Sequence, residues 1–554
     1  MSKNDSTVEN KAADLIKRSS SLFQSTERTT AEARWQDICK YVLPNQLVTF
    51  ASVENTSPGA STMDGVYTAE AVIANRDLAA FIRDFADPTE RPSFRFVSEE
   101  LNNDNDAIRW LEEATFKLHH HLSESNLDSE ASKNYTMFPA LGNMIMLQEQ
   151  KKPTINGSFG GFVFKSIHLA EIVWAENMDG MVDTVFRKLK LTAKQAVERF
   201  GLDVVSDKIR SQIAANKLDE QHDFIHCIYP RVLPGTESSP TGLLDAQKMP
   251  FESLYIEVSA KKIVREDGYN EFPIFVTRWD TMPGEVTGRG PGHIAEPEIK
   301  TLNRFVGLSL QAFYEAVNTT WLVDKQNSFA QLDLRPNMLN VVDSVDSIKP
   351  LRSGKDFSQI DYAHQRFSET IQKIFYLDKL YLPARTETGE MSAYEVSRRM
   401  EQAHKVLGPT AGRLNNEFLT PMLLRSFSML LRAGEFPPVP DILKVMGIDI
   451  KVDFVSQLVR TQKLRDGTAI QGWVQQLAAA AQLLGPSIAD NIDGDKAALM
   501  LGRVSGVPES IIRPDSDVAK MRQDRAQQAQ QAQQLESGVK LADMQAKMQR
   551  SSPQ

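Results

Sequence analysis

Cysteine is nearly absent: the 554 residues contain two, Cys39 and Cys227. Two are too few for a disulfide framework and fit a protein assembled in a reducing compartment. No run approaches 18 uninterrupted apolar residues, so a membrane-spanning helix is not expected. The N-terminal stretch MSKNDSTVENKAADLIKRSS is polar and holds no apolar segment of signal-peptide type. A basic excess is lacking too: Lys plus Arg total 63 against 72 Asp plus Glu, a formal net charge of −9. Modules that grip nucleic acid carry the opposite balance, so a tight DNA-binding domain is disfavoured.

Recognisable catalytic spacings are also wanting. A phosphate-cradling loop needs glycines followed by Lys and a hydroxyl residue; Gly288-Arg289-Gly290-Pro291-Gly292 has no such lysine. His119, His168, His226, His293, His364 and His404 form no His-Glu-x-x-His pattern, and neither cysteine sits in a Cys-x-x-Cys pair. The triplet His119-His120-His121 closes a helical pattern, where neighbouring positions point apart and one metal cannot gather all three. Asn491-Ile492-Asp493-Gly494-Asp495 lacks the spacing of a calcium loop and reads as helix capping. Glu99-Glu100 with Asp104 to Asp106 reads as solvated surface. The expectation is no metal, no cofactor and no enzyme.

What is present is amphipathic pattern over a length that calls for two to four domains or one elongated subunit. Residues 1 to about 130 read as helical, with Ala31 to Tyr41, Ala69 to Phe85 and Asp106 to Leu122 as the clearest segments. From Gly160 the texture alternates: Phe162 to Trp174 and Val182 to Leu189 read as strands around an Asn177–Gly180 turn. Thr192 opens a helix that Gly201 ends. Val205 to Leu218 reads as a further helix, Phe224 to Tyr229 and Leu254 to Val258 as strands, and Glu266-Asp267-Gly268 as a hairpin turn. Residues 357 to 434 read as helical, with a capping box at Ser392 to Glu395, a break at Gly408-Pro409 and a kink at Pro421. Past Pro514, Ala526, Ala529 and Ala532 mark a helix with good propensity and little to bury, so it is either packed against copies of itself or frayed.

The chain is organised around Phe272 to Val317. A strand-like Ile274-Phe275-Val276 leads through Arg278-Trp279 to the glycine-rich loop. Then Ile299, Leu302, Phe305, Val306, Leu310 and Phe313 recur at spacings of three and four, predicting about 25 residues of helix, about 40 Å long.

This order of motifs resembles the portal proteins, or head-to-tail connectors, of short-tailed bacteriophages. Arg34-Trp35 through Pro44-Asn45, Val182-Asp183-Thr184 through Phe200-Gly201, and Leu407-Gly408-Pro409 through Pro421 extend the resemblance along nearly the whole chain. It implies a mainly α subunit with a small α+β clip module, elongated, with wing, stem, clip and C-terminal crown or barrel. On that plan 1–204 and 371–456 are the wing, 205–222 and 291–320 the stem helices, 223–290 the clip, 321–370 the channel region and 457–554 the crown. The resemblance also implies a ring of twelve subunits at one capsid vertex, through which double-stranded DNA is packaged and ejected. Its implied partners are the terminase large subunit, a tail adaptor, the major capsid and scaffolding proteins, and internal core or ejection proteins; assembly would be in the host cytoplasm. Lys349, Arg352 and Lys355 become candidates for DNA contact in the channel, with an ordinary solvated loop as the plainer reading. Nine net negative charges per subunit, over twelve copies, is about −108, which suits a conduit from which DNA must slide free. A different structural head or tail component and a nucleic-acid-processing enzyme are the alternatives.

Overall fold

A computed structural model of the chain describes residues 3–44, 65–86, 94–98, 105–152, 159–231, 248–317, 321–323, 348–350, 357–380, 406–441, 443, 450–454 and short pieces between 472 and 528. It is helix-rich, with antiparallel sheets. Helices α1 (Lys3–Phe23), α2 (Thr26–Val42) and α3 (Glu70–Ala86) precede strand β1 (Phe94–Val97) and helices α4 (Asn105–Ser123) and α5 (Leu127–Leu141). Strands β2 (Asn143–Gln150), β3 (Phe162–Ser166), β4 (Ile172–Glu176) and β5 (Val182–Thr192) follow, then two short helices, α6 (Ala193–Phe200) and α7 (Asp207–Ala214). Next come β6 (Gln221–Pro230), β7 (Phe251–Glu257), β8 (Lys262–Tyr269) and β9 (Ile274–Arg278), and then the long α8 (Pro291–Val317). Strands β10 (Trp321–Val323) and β11 (Ile348–Pro350), helices α9 (Phe357–Ile374), α10 (Leu377–Leu380) and α11 (Thr420–Ala433), and strand β12 (Lys451–Phe454) complete the order.

The chain divides into two compact units: Met1–Arg91 with His120–Glu435, and Pro92–His119 with Phe436–Gln554. In the second, β1 pairs antiparallel with β12, and the Trp110 indole meets Phe436 edge-on and donates to the Pro437 carbonyl.

The first unit is built on a five-stranded antiparallel sheet in the order β4-β5-β6-β7-β8. Alternation sends Val173, Phe186, Ile225 and Leu254 to one face, where α1 covers them with Ala12, Leu15 and Phe23. Phe224, Tyr255 and Val264 point the other way, onto Ala196 of α6 and Ile209 of α7. Thr192 caps α6 through a reciprocal pair with Gln195, and Gly201, at φ 96°, ends it, as the sequence predicts. A second sheet, β3-β2-β9, places the buried strand β2 at its centre. Helix α5 packs on it, and the Gln148 side chain donates to Ser426 of α11.

Four expectations need correction. Glu266-Asp267-Gly268 is no turn: it lies inside β8, and the chain reverses at residues 258–261, where Lys261 takes φ 48°. The helix expected over Val205 to Leu218 spans only Asp207–Ala214, because Asn216, at φ 55°, turns the chain toward β6. Residues 223–290 do not form a sheet of their own; β6, β7 and β8 continue a sheet begun by β4 and β5, and β9 joins β2. Gly408-Pro409 does not break the helix, since residues 406–414 are all helical. The irregularity comes just beyond, in a π-helical turn at Asn415–Leu419, after which Pro421 occupies the first turn of α11 and needs no partner for its missing N–H. The Ser392 capping box, the Asn491 segment, Glu99-Glu100 and Ala526, Ala529 and Ala532 lie outside the described residues.

Candidate subunit-contact site and channel residues

The root of α8 is a backbone-on-backbone clamp. Side chains at Gly288, Gly290 and Gly292 would overlap the carbonyl oxygens of Gly142, Pro139 and Ala140 at the end of α5. Gly142 closes that helix in the left-handed region, φ 70°. Asn143 fastens the two segments: its Oδ1 accepts from the Gly288 N–H at 2.7 Å, and its Nδ2 donates to the carbonyls of Gly288 and Leu141 at 3.1 and 2.9 Å. His293 Nδ1 accepts from the Gly290 N–H. Burial, with Arg34 and Arg289 nearby, lowers the His293 imidazole to about 4, so it stays a neutral acceptor. The glycine-rich loop serves close packing, in keeping with its lack of a phosphate-binding lysine.

Along its first half α8 is gripped on several sides. Lys300 pairs with Asp37 of α2 at 2.7 Å and with Glu296 on its own helix. The Asn303 carboxamide accepts from the Tyr67 N–H and donates to the Gly65 carbonyl, while the Tyr67 ring lies over Gly307. Phe305 packs on Phe367 of α9, ring centroids 6.1 Å apart. The apolar stripe begins buried, with Ile299 and Leu302 at 2% and 0% exposure. Phe305 and Val306 are half-buried. Beyond them the same stripe emerges: Leu310, Phe313, Tyr314 and Val317 are 53%, 43%, 69% and 82% exposed. Spacings of three, one and three residues keep these four on one face, in line with the buried part.

Arg278 is the polar knot beneath this arrangement. It is 4% exposed. Its guanidinium binds Glu417 at 2.7 Å and Glu176, and donates to the Gly180 carbonyl at 3.0 Å. The Arg278 N–H, at the unpaired edge of β9, donates to the same Glu417 at 2.8 Å. The adjoining Trp279 packs on Phe138 of α5. Arg278-Trp279 stands out in the sequence; Glu176, Glu417, Asn143 and Asn303 do not, because their partners lie far along the chain and no local pattern announces them.

The predicted channel residues are not brought together within what is described. Lys349 lies in β11, opposite Leu322 of β10, whereas Arg352 and Lys355 lie outside the described residues. In the histidine triplet, His120 faces Glu124 at 3.5 Å and His121 packs on Phe159 and Phe162, so these two diverge. No described helix is long and apolar enough to cross a membrane.

The family model described as bacteriophage head to tail connecting protein matches residues 13–512. The chain belongs to that family. It is 26% identical over 524 residues to the portal protein of Salmonella phage epsilon15, covering 93% of this chain and 91% of the relative. It is 26% identical over 533 residues to a probable portal protein of Bordetella phage BPP-1, covering 94% and 93%. In this head-to-tail connecting protein, then, the long helix with its half-exposed stripe belongs to a structural part of a phage particle. Portal proteins form ring assemblies in phage heads.

Proposed function

We propose that this connecting protein closes into a portal ring of twelve subunits at one capsid vertex, and that double-stranded DNA enters and leaves through its bore. The observation that carries the reading is the stripe on α8. Leu310, Phe313, Tyr314 and Val317 continue a buried face into solvent on a helix whose root is clamped, which suits a rigid stem helix seated against a neighbouring copy. Each copy would offer α8 to a different surface of the next, the heterologous contact that closes a ring. Residues 291–320 are thereby proposed as stem. The two-turn α7 is packed on the sheet and is not proposed as a second stem helix. We keep 1–204 and 371–456 as wing, the β6–β9 region as the clip that meets the motor and then the tail adaptor, and 457–554 as crown. Lys349, Arg352 and Lys355 are proposed to face the channel and touch phosphate briefly. By the same reading the partners are the terminase large subunit, a tail adaptor, capsid and scaffolding proteins and internal ejection proteins, with assembly in the host cytoplasm; ATP hydrolysis belongs to the terminase.

Native mass spectrometry of the purified chain tests the contact. The parent chain is expected to give a closed oligomer, and Leu310→Glu with Tyr314→Glu to give folded monomers. A variant that assembles as fully as the parent contradicts the role given to α8.

A further inference from the structure

A second exposed apolar surface lies away from α8. The turn between β4 and β5 leaves the Met178 side chain wholly in solvent and Met181 43% exposed; the loop after β9 leaves Met282 52% exposed. Both segments are held firmly. Asn177 Oδ1 accepts from the N–H groups of Asp179 and Met181, each at 2.9 Å, and Arg278 binds the Gly180 carbonyl. Arg413 donates to Thr281 Oγ1 at 2.7 Å and pairs with the same Glu417 that holds Arg278. The two methionine-bearing segments are therefore tied to one buried knot. Against Met181 opens a cleft of about 270 Å³, walled by Val182, Phe272, Ile274, Pro421 and Leu424. That is room for an aromatic side chain or a pair of aliphatic ones. Flexible, polarisable Met181 on its wall, with Met178 exposed on the same turn, suits the cleft to receiving apolar anchors.

Charge decides what kind of anchor. Of the arginines of this region, Arg278 and Arg413 are met by Glu176 and Glu417 and Arg289 by Glu285, while Arg425 and Arg432 share Glu271, which leaves one positive charge over. Asp179, Asp183 and Asp280 make no ion pair among the described residues, and Asp179 and Asp280 are exposed. The cleft itself is charge-balanced, Glu271 and Glu417 on its wall facing Arg278 and Arg425, and the three aspartates outnumber the one surplus arginine, so the surrounding surface is negative.

We propose that this lip and cleft dock a short segment of a different protein, one with aliphatic or aromatic anchors flanked by lysine or arginine. The proposal does not depend on the ring reading, since its surface is separate from the α8 stripe. Fluorescence anisotropy with the full chain tests it, using two labelled peptides that share a Leu-Phe-Leu centre, one flanked by lysines and the other by glutamates. The lysine peptide is expected to bind and the glutamate peptide to stay free. Asp179→Lys with Asp280→Lys, and separately Met178→Ser with Met181→Ser, are expected to weaken binding at least tenfold while leaving the unfolding midpoint and the assembly state unchanged. Equal binding of both peptides, no binding of either, or undiminished binding by the variants overturns the proposal. A charge-reversed chain that changes its assembly state also overturns it, because a second copy would then be the occupant.

Discussion

At the scale of single residues, buried charge and buried imidazole set the most sensitive points. Replacing Arg278 by Met leaves Glu176 without its cation and Glu417 with only the longer contact to Arg413, and breaking a buried pair costs about 3 kcal/mol or more. A lowered urea midpoint is expected for Arg278→Met; an unchanged one means the knot is not what holds β9. Three histidines are held neutral by burial: His168 and His293 are lowered to about 4, and His226, stacked on Tyr255 and facing Arg187, Arg199 and Arg265, well below its usual value. The unfolded chain takes up these protons as pH falls through about 6.5, while the folded chain resists them. Stability is therefore fully present above that pH and is lost toward pH 4, by about 1.4 kcal/mol per pH unit for each histidine concerned. Chemical unfolding at pH 7 and pH 5 is expected to show the lower midpoint at pH 5; a flat profile contradicts these environments. Burial also raises the Cys39 thiol to about 12 and pushes Cys227 up, so neither is expected to react with a thiol reagent before unfolding. Prompt labelling of the native chain would show either site to be open.

At the scale of elements, local pattern and distant contact contribute unequally. Helix α8 was legible because its apolar residues repeat over 27 positions and its start is punctuated by glycine and proline. Helix α6 was legible from both caps. The segment from Leu127 to Gln150 was not: Pro139 discourages a helical reading of α5, yet it sits in the last turn, and β2 is buried on both faces and shows no alternation. The β8 strand is hidden in the sequence because Asp267 and Gly268 look like a turn, while cross-strand pairing with Ser253 and Glu252 holds them extended. Of the candidate site, the stripe was legible, but that its outer half is exposed was not, since exposure depends on what covers a helix. The glycine loop was legible as a motif and its purpose was not. Because a β-carbon at Gly290 would meet the Pro139 carbonyl oxygen, Gly290→Ala is expected to shift the root of α8 and cost about 1–3 kcal/mol. Hydrogen exchange is expected to rise in α5 and in the first turns of α8; unchanged protection there would show the clamp to be slack.

For the whole molecule, membership of the connecting-protein family stands beside one proposed contact: copies close on one another through the outer half of α8. On the proposed reading, a net charge of −9 per subunit suits a bore that does not hold its cargo, and Lys349, Arg352 and Lys355 are the proposed contacts within it. Neutralising those three residues is expected to leave rings intact and reduce the packaged genome; a normal genome load would remove them from the channel. Electron microscopy of the purified full chain tests the central claim most directly. The account predicts a closed ring with an axial hole, in which residues 308–317 are buried against the neighbouring subunit. A chain that stays monomeric at high concentration, or a ring that leaves those residues in solvent, would contradict it.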